Sequence, residues 1–257
     1  MKPLVRPIRL IVADVDGCVT RGGRTPFDLA VMQRIAERNR ASRTDPAVPA
    51  MTFCTGRPLP YVQALQQACA CHHPAIAEFG AVLWDPVHQH HAIHPAYTEQ
   101  DRRRYQAMLA EAEEQFLTNG DGQVLIEAGK VCQLTLYPKP PLTVPELARR
   151  AESFSQRWSE HFATDQTTAV VNFMPHAVNK GTALQWLSQL TGIDLDEMVG
   201  LGDSESDWHF MRLCARSAAP RNAVPALRAR VDWRLAHAAV DCIEELYERI
   251  RAESPAT

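Results

Sequence analysis

Short apolar runs that end in an acid or a glycine recur along this chain, and stretches with helical spacing separate them. Residues 9–17 (RLIVADVDG) form the first, the pattern of a strand buried on both faces of a parallel sheet and closed by a turn. Residues 26–40 start at a proline and place Leu29, Met32, Ile35 and Ala36 on one side, which predicts a helix. Residues 50–58 (AMTFCTGRP) repeat the strand pattern, with a glycine turn closed by Pro58. A second helix is predicted over 60–71, and a third strand, leading outwards, over 74–84 (PAIAEFGAVLW). Alternation of this kind predicts a Rossmann-like, doubly wound α/β sheet.

The texture changes between residues 84 and 176. Residues 98–118 are long, charged and amphipathic, NGDGQ marks a turn, and residues 123–138 read as two strands around a turn at Gly129 and Lys130. A further helix entered through prolines follows over 140–162, and TTAVVNFMP (167–175) closes the segment as a strand. The α/β rhythm resumes with a helix at 179–192, a strand in MVGLGD (198–203), a helix from Ser204 and a last helix at 239–252. The expected plan is a core of residues 1–83 and 177–257, with an inserted α+β domain at 84–176.

Composition narrows the function classes. Among 257 residues, 27 are Lys or Arg and 30 are Asp or Glu, a net charge of −3, so no nucleic-acid partner is expected. Apolar residues at 46% and charged residues at 22% describe a globular chain, not a disordered one. No apolar run nears the ~18 residues of a membrane helix, and the opening residues reach an acid before a signal core could form. Seven cysteines without a repeated spacing read as reduced thiols. The expected setting is the cytoplasm, without a membrane partner.

Candidate chemistry gathers at predicted strand ends. Asp14 and Asp16 stand two apart, so the strand period puts both carboxylates on one side, and Gly17 allows a tight turn. Adjacent carboxylates in a dry crevice repel unless a cation neutralises them; helix-capping acids are the other reading. Asp203 ends a second strand, and Asp207 either points back at that strand end or only favours a helix N-terminus. Thr55, Gly56 and Arg57 offer a hydroxyl and free amides, the parts of a phosphate cradle, though such turns are common. Lys180 opens a helix, where a cation opposes the helix dipole; otherwise it is a solvated surface lysine. Open α/β sheets bind ligands outside the carboxyl ends of their strands, and three strand ends here carry Asp-x-Asp, Thr-Gly and Gly-Asp. Cys69, Cys71, His72 and His73 have some metal-ligand character, but no second pair at zinc spacing answers them.

In this order, the motifs resemble those of the haloacid dehalogenase superfamily of aspartate-nucleophile phosphohydrolases. DVDGCVT is similar to its first motif, Thr55 to its second, Lys180 to its third and GDSESD to its fourth. The insert is similar to the type-two cap of the Cof-like, phosphoglycolate and sucrose phosphatase branch, FMPHAVNKGTAL to that branch's cap exit, and Asn222-Ala223 to its late Asn-Ala pair. Two positions depart from that branch: Ser206 stands where Asn is usual, and Glu78-Phe79-Gly80 where Glu-Asn-Gly is common. The resemblance implies a magnesium-dependent phosphatase of a small phosphorylated metabolite, of the sugar phosphate or phosphoglycolate class, working through an aspartyl-phosphate. It implies Asp14 as nucleophile, Asp16 as acid and base, and phosphate contacts from Thr55, Gly56, Arg57, Lys180 and Asn222. Magnesium ligands would come from Asp14, the Asp16 main chain, Asp203 and Asp207, and the cap would supply substrate selectivity. A phosphomutase on the same fold is the alternative, and a non-catalytic module binding a phosphate ligand a more distant one.

Overall fold

The computed structural model describes residues 4–23 and 25–253. In chain order, β1 (Leu10–Ala13), α1 (Leu29–Ala41), β2 (Ala50–Phe53), α2 (Leu59–Ala68), β3 (Ala75–Ala77), β4 (Val82–Asp85) and β5 (His90–Ile93) come first. Then follow α3 (Glu99–Ala112), β6 (Val124–Ile126), β7 (Leu134–Pro138), α4 (Val144–Arg150), α5 (Glu152–Trp158), β8 (Phe162–Gln166) and β9 (Val171–Pro175). The rest comprises α6 (Lys180–Thr191), β10 (Met198–Leu201), α7 (Trp208–Met211), β11 (Arg216–Ala219), α8 (Pro225–Arg228), β12 (Trp233–Arg234) and α9 (Cys242–Glu253).

Two compact units result, one formed by the chain up to Ala92 together with Lys180 onward, the other by Ile93–Asn179. The first is built on a parallel sheet of order β12-β11-β10-β1-β2, whose central strands are buried throughout. Both faces of such a sheet must be covered, so β1 (LIVA) and β10 (MVGL) carry almost only apolar side chains. Leu184, Leu187, Phe210 and Met211 pack against Leu10 and Val12 from one side. β1 lies between β2 and β10, so sequence progress reverses direction beside it, at the switch point where such sheets bind ligands.

The run at 74–84 is not one strand. Glu78, Phe79 and Gly80 all take positive φ and turn the chain, and β4 returns antiparallel to β3. Its apolar continuity hid the turn, because Gly80 is the only turn-type residue after Pro74. β4 and all of β5 but Ile93 stay with the first unit, and the second unit runs over Ile93–Asn179, against the expected 84–176.

The second unit has one strand more than its hydrophobic pattern suggests. β8 follows the helix expected over 140–162, sharing only Phe162 with it, and pairs antiparallel with β9, the turn being closed by the Thr167 amide on the Val170 carbonyl. Its sheet, of order β6-β7-β9-β8, packs Leu134, Leu136, Val171 and Phe173 against α3, α4 and α5. Phe154 sits at the centre, edge-on to Phe116 and Phe173 at ring separations of 5.5 and 5.1 Å. The helix predicted over 98–118 is α3 with a π-helical end at 113–118. Among the described residues, no helix is long and apolar enough to cross a membrane.

β2 is the edge of the large sheet, and a buried asparagine on α1 satisfies part of it. Asn39 accepts from the Met51 amide at 2.7 Å and donates to the Cys69 carbonyl at 2.9 Å and to Cys71 Sγ at 3.3 Å. The cysteines of the Cys-Cys-His-His cluster are therefore packed thiols at the end of α2, and all seven cysteines are free. Asn39→Ala is expected to lower the unfolding free energy by about 2–3 kcal/mol, the cost of leaving a buried amide and carbonyl unpaired. Urea denaturation checks this, and a loss below about 0.5 kcal/mol, the level of a neutral surface change, would refute it.

Candidate active site

The carboxyl ends of β1, β2 and β10 deliver the predicted residues to one place. Asp14 directly follows β1, and its amide is held by the Leu201 carbonyl of β10 at 2.8 Å. Thr55 follows β2, Asp203 follows β10, and Asp207 sits in the short helical turn beyond. Lys180, the first residue of α6, reaches the group from a third direction. Its ammonium donates to Asp14 Oδ1 at 2.7 Å and to Asp207 Oδ1 at 2.6 Å. Its side chain is 3% exposed, so it is not the solvated lysine that the sequence left open.

Each carboxylate is engaged differently. Asp207, fully buried, accepts with Oδ2 from the Asp203 and Ser204 amides and from the Ser204 hydroxyl, at 2.8–3.0 Å. It caps the turn and braces Asp203 while its other oxygen faces Lys180. Asp14 has Oδ1 held by Lys180, whereas Oδ2 accepts no hydrogen bond among the described residues. The Asp203 carboxylate accepts none either. Burial raises both carboxyls, with the neighbouring acids adding to it: Asp14 is pushed up to about 7 and Asp203 to about 8. Burial opposes the charge on Lys180, but Asp14 and Asp207 outweigh it and hold the ammonium well above its ordinary value.

Asp16 lies apart from this trio. Arg57 grips it with two bonds, Nε to Oδ2 at 2.6 Å and Nη2 to Oδ1 at 2.9 Å. The Arg57 guanidinium rests on the Tyr61 ring at 4.9 Å. The expected phosphate ligand is thus turned onto the expected acid, a pairing across 41 positions that no local sequence signal announces. Asn222 also spends its amide within the protein, donating to the Gly17 carbonyl at 2.9 Å and accepting from Ala239 at 2.7 Å. It braces the loop after β1. Gly17 is obligatory there: its φ is +85°, and a Cβ would run into the Asp203 carboxylate.

Asp14, Asp203 and Asp207 each offer an oxygen within 4.8 Å of the others. With all four carboxylates ionised, counting Asp16, the two cations Lys180 and Arg57 would leave two negative charges unmatched in a largely buried place, which is why Asp14 and Asp203 hold their protons until a further cation is bound. An undonated carboxylate on Asp203, oxygen-only donors and that excess fit a hard divalent cation. Among the described residues, Cys69, Cys71, His72 and His73 do not bring three donors together.

The family model for haloacid dehalogenase-like hydrolases matches residues 97–246, more than half the chain. The chain belongs to that family. A phosphoglycolate phosphatase of Methanobrevibacter smithii is 22% identical over 242 residues, 94% of this chain and 98% of the relative. One from Methanothermobacter thermautotrophicus is 33% identical over 67 residues, 26% of this chain, and there the chain spans only 30% of the relative's length. The sucrose-phosphatase of Synechocystis, solved with sucrose and phosphate, has the same fold, with a TM-score of 0.64 at 16% identity over 95% of this chain and 98% of that one.

The raised carboxyls have a signed consequence for stability. Asp14 and Asp203 keep their protons in the folded chain up to about 7 and 8, whereas an ordinary aspartate loses its proton at 3.8. Between these limits the folded state binds more protons than the unfolded one, so stability falls as pH rises. In chelator, the Tm is expected to drop from pH 5 to pH 8, and Asp203→Asn to flatten the slope. Thermal unfolding across that range measures both, and parallel slopes for wild type and variant would refute the assignment.

Proposed function

We propose that this hydrolase is a phosphoric monoester hydrolase that acts on a small phosphorylated metabolite through an aspartyl-phosphate. The observation that carries the reading is Asp14, one oxygen fixed by Lys180 and the other undonated at the end of the central strand. That oxygen would attack phosphorus, with the ester oxygen leaving on the opposite side. Lys180 and the Thr55 hydroxyl, which accepts from the Arg57 amide at 3.2 Å and keeps its own proton to donate, would hold the phosphoryl oxygens as negative charge builds on them. Asp16 would give a proton to the departing alkoxide and later take one from the water that hydrolyses the acyl phosphate. Arg57 holds both Asp16 oxygens in its fork, so it would have to yield one for that exchange.

Asp14, Asp203 and the Asp16 main-chain carbonyl would hold magnesium, with Asp207 contributing directly or through water. When bound, the ion offsets charge on the phosphoryl oxygens and the carboxylates. The phosphatase names of the relatives support the substrate class, and three of them name phosphoglycolate. The inserted domain, expected at 84–176, would supply selectivity for the organic part, a reading supported by the separate compact unit Ile93–Asn179. The cytoplasm is the proposed setting.

Asp14→Asn is expected to cut hydrolysis of phosphate monoesters at least a thousandfold, in line with the loss of an activated nucleophile, while the Tm holds or rises because a buried repulsion is removed. Turnover above about a tenth of wild type, a deficit of only ~1.4 kcal/mol, would sink the nucleophile assignment. Chelation should stop turnover and magnesium restore it, with Asp203→Asn raising the magnesium midpoint. Full activity in excess chelator would remove the metal from this reading.

A further inference from the structure

The segment that reverses the chain after β3 is strained where it meets the site. Glu78 and Phe79 have φ values of 49° and 54°, consecutive left-handed residues that are not glycine, and Gly80 follows at 114°. A bulky side chain in that region is an outlier, and such outliers gather where the surroundings enforce them for function. The enforcement here is local. The Phe79 amide donates to the Thr55 carbonyl at 3.1 Å and the Glu78 amide to the Arg57 carbonyl at 3.1 Å. These bonds lay the Phe79 ring on the turn after Thr55, in the space a Cβ on Gly56 would fill. The Lys180 ammonium stands 5.5 Å from the centre of the same ring, within cation–π reach. Phe79 is only half-buried. A second aromatic group lies behind Arg57, where Tyr61 meets Phe27 edge-on at 5.8 Å and Phe27 is 44% exposed.

The geometry points to Phe79 as a specificity-determining residue, an apolar wall of the phosphate cradle that selects esters whose organic part is flat and unsaturated, an aryl or heteroaryl phosphate, over a polyol phosphate. The inference rests on the phosphoester reading of the site. A ring held against the cradle by its own backbone costs no side-chain ordering on binding, and it offers a face to a planar group. A polyol would instead have to give up hydrogen bonds to water against that face without replacement.

Binding and turnover separate the two readings. In the Asp14→Asn protein with magnesium present, calorimetry should show 1-naphthyl phosphate binding more tightly than glycerol 1-phosphate. Adding Phe79→Asn, a residue that accepts left-handed backbone, should weaken the naphthyl ester about fivefold, the worth of one aromatic contact, and the glycerol ester less than about twofold. Phe79→Tyr should keep the preference, and Phe79→Leu, of similar bulk without a flat face, should lose it, which covers a Phe79→Asn chain that fails to fold. With Asp14 restored, the ratio of kcat/KM for the two esters should move in parallel, through KM. An equal change for both esters, or a preference retained by Phe79→Leu, would overturn the wall assignment. Binding preference without turnover of either ester would support the wall and sink the phosphatase reading alone.

Discussion

The ammonium of Lys180, buried between Asp14 and Asp207, is the contact on which the rest of the site depends. A buried lysine without partners would shed its proton, and two buried carboxylates without a cation would shed their charge. Joined, the three groups fix one another, and the join ties the end of β1 to the start of α6 and to the turn beyond β10. Asp207 carries the constraint onward by capping the turn through the Asp203 and Ser204 amides, which sets where Asp203 stands. Removing the ammonium would leave two buried carboxylates uncompensated, a loss of about 3–5 kcal/mol in comparable sets, whereas removing Asp14 leaves Lys180 paired with Asp207.

The charges fall into two groups with different jobs. Lys180 serves Asp14 and Asp207 in the interior, while Arg57 serves Asp16 nearer the solvent, where both partners are partly exposed. A lysine suits the first place because a compact ammonium can face two carboxylates at once. An arginine suits the second because its fork matches one carboxylate and its flat face rests on Tyr61. Asp203, undonated, is the group that the protein's own cations leave unmatched.

The sheet and its strand-end residues were legible in the sequence because parallel strands buried on both faces leave unbroken apolar runs, and Asp14, Asp203 and Thr55 stand at the ends of such runs. The positions that were not legible depend on contacts across long separations or on backbone turns without their usual residues. Nothing near Arg57 says that its partner is Asp16, and nothing near Asn222 says that Gly17 and Ala239 claim its amide. The turn at 78–80 was missed because Glu and Phe fill left-handed positions that glycine or asparagine would advertise. β8 was not legible because Ala163, Asp165 and Gln166 carry little strand preference, and it is the hairpin with β9 that makes this stretch a strand.

The pairing of β1 with β10 sets the order in which the molecule can be made. Leu10 faces Met198 across a parallel ladder, 188 positions later in the chain, with a whole compact unit in between. During synthesis at about 5–20 residues per second, one side of the central strand therefore waits roughly ten seconds or more for its neighbour, with its apolar face and ladder groups open. The intervening unit has its own core and can fold in that interval, whereas the parallel sheet cannot close until most of the chain has emerged. Asn222 and Ala239 then lock the loop after β1 from the far end of the sequence. A nascent chain of this protein thus carries Asp14 from the start and gains its partners Lys180 and Asp207 only near the finish.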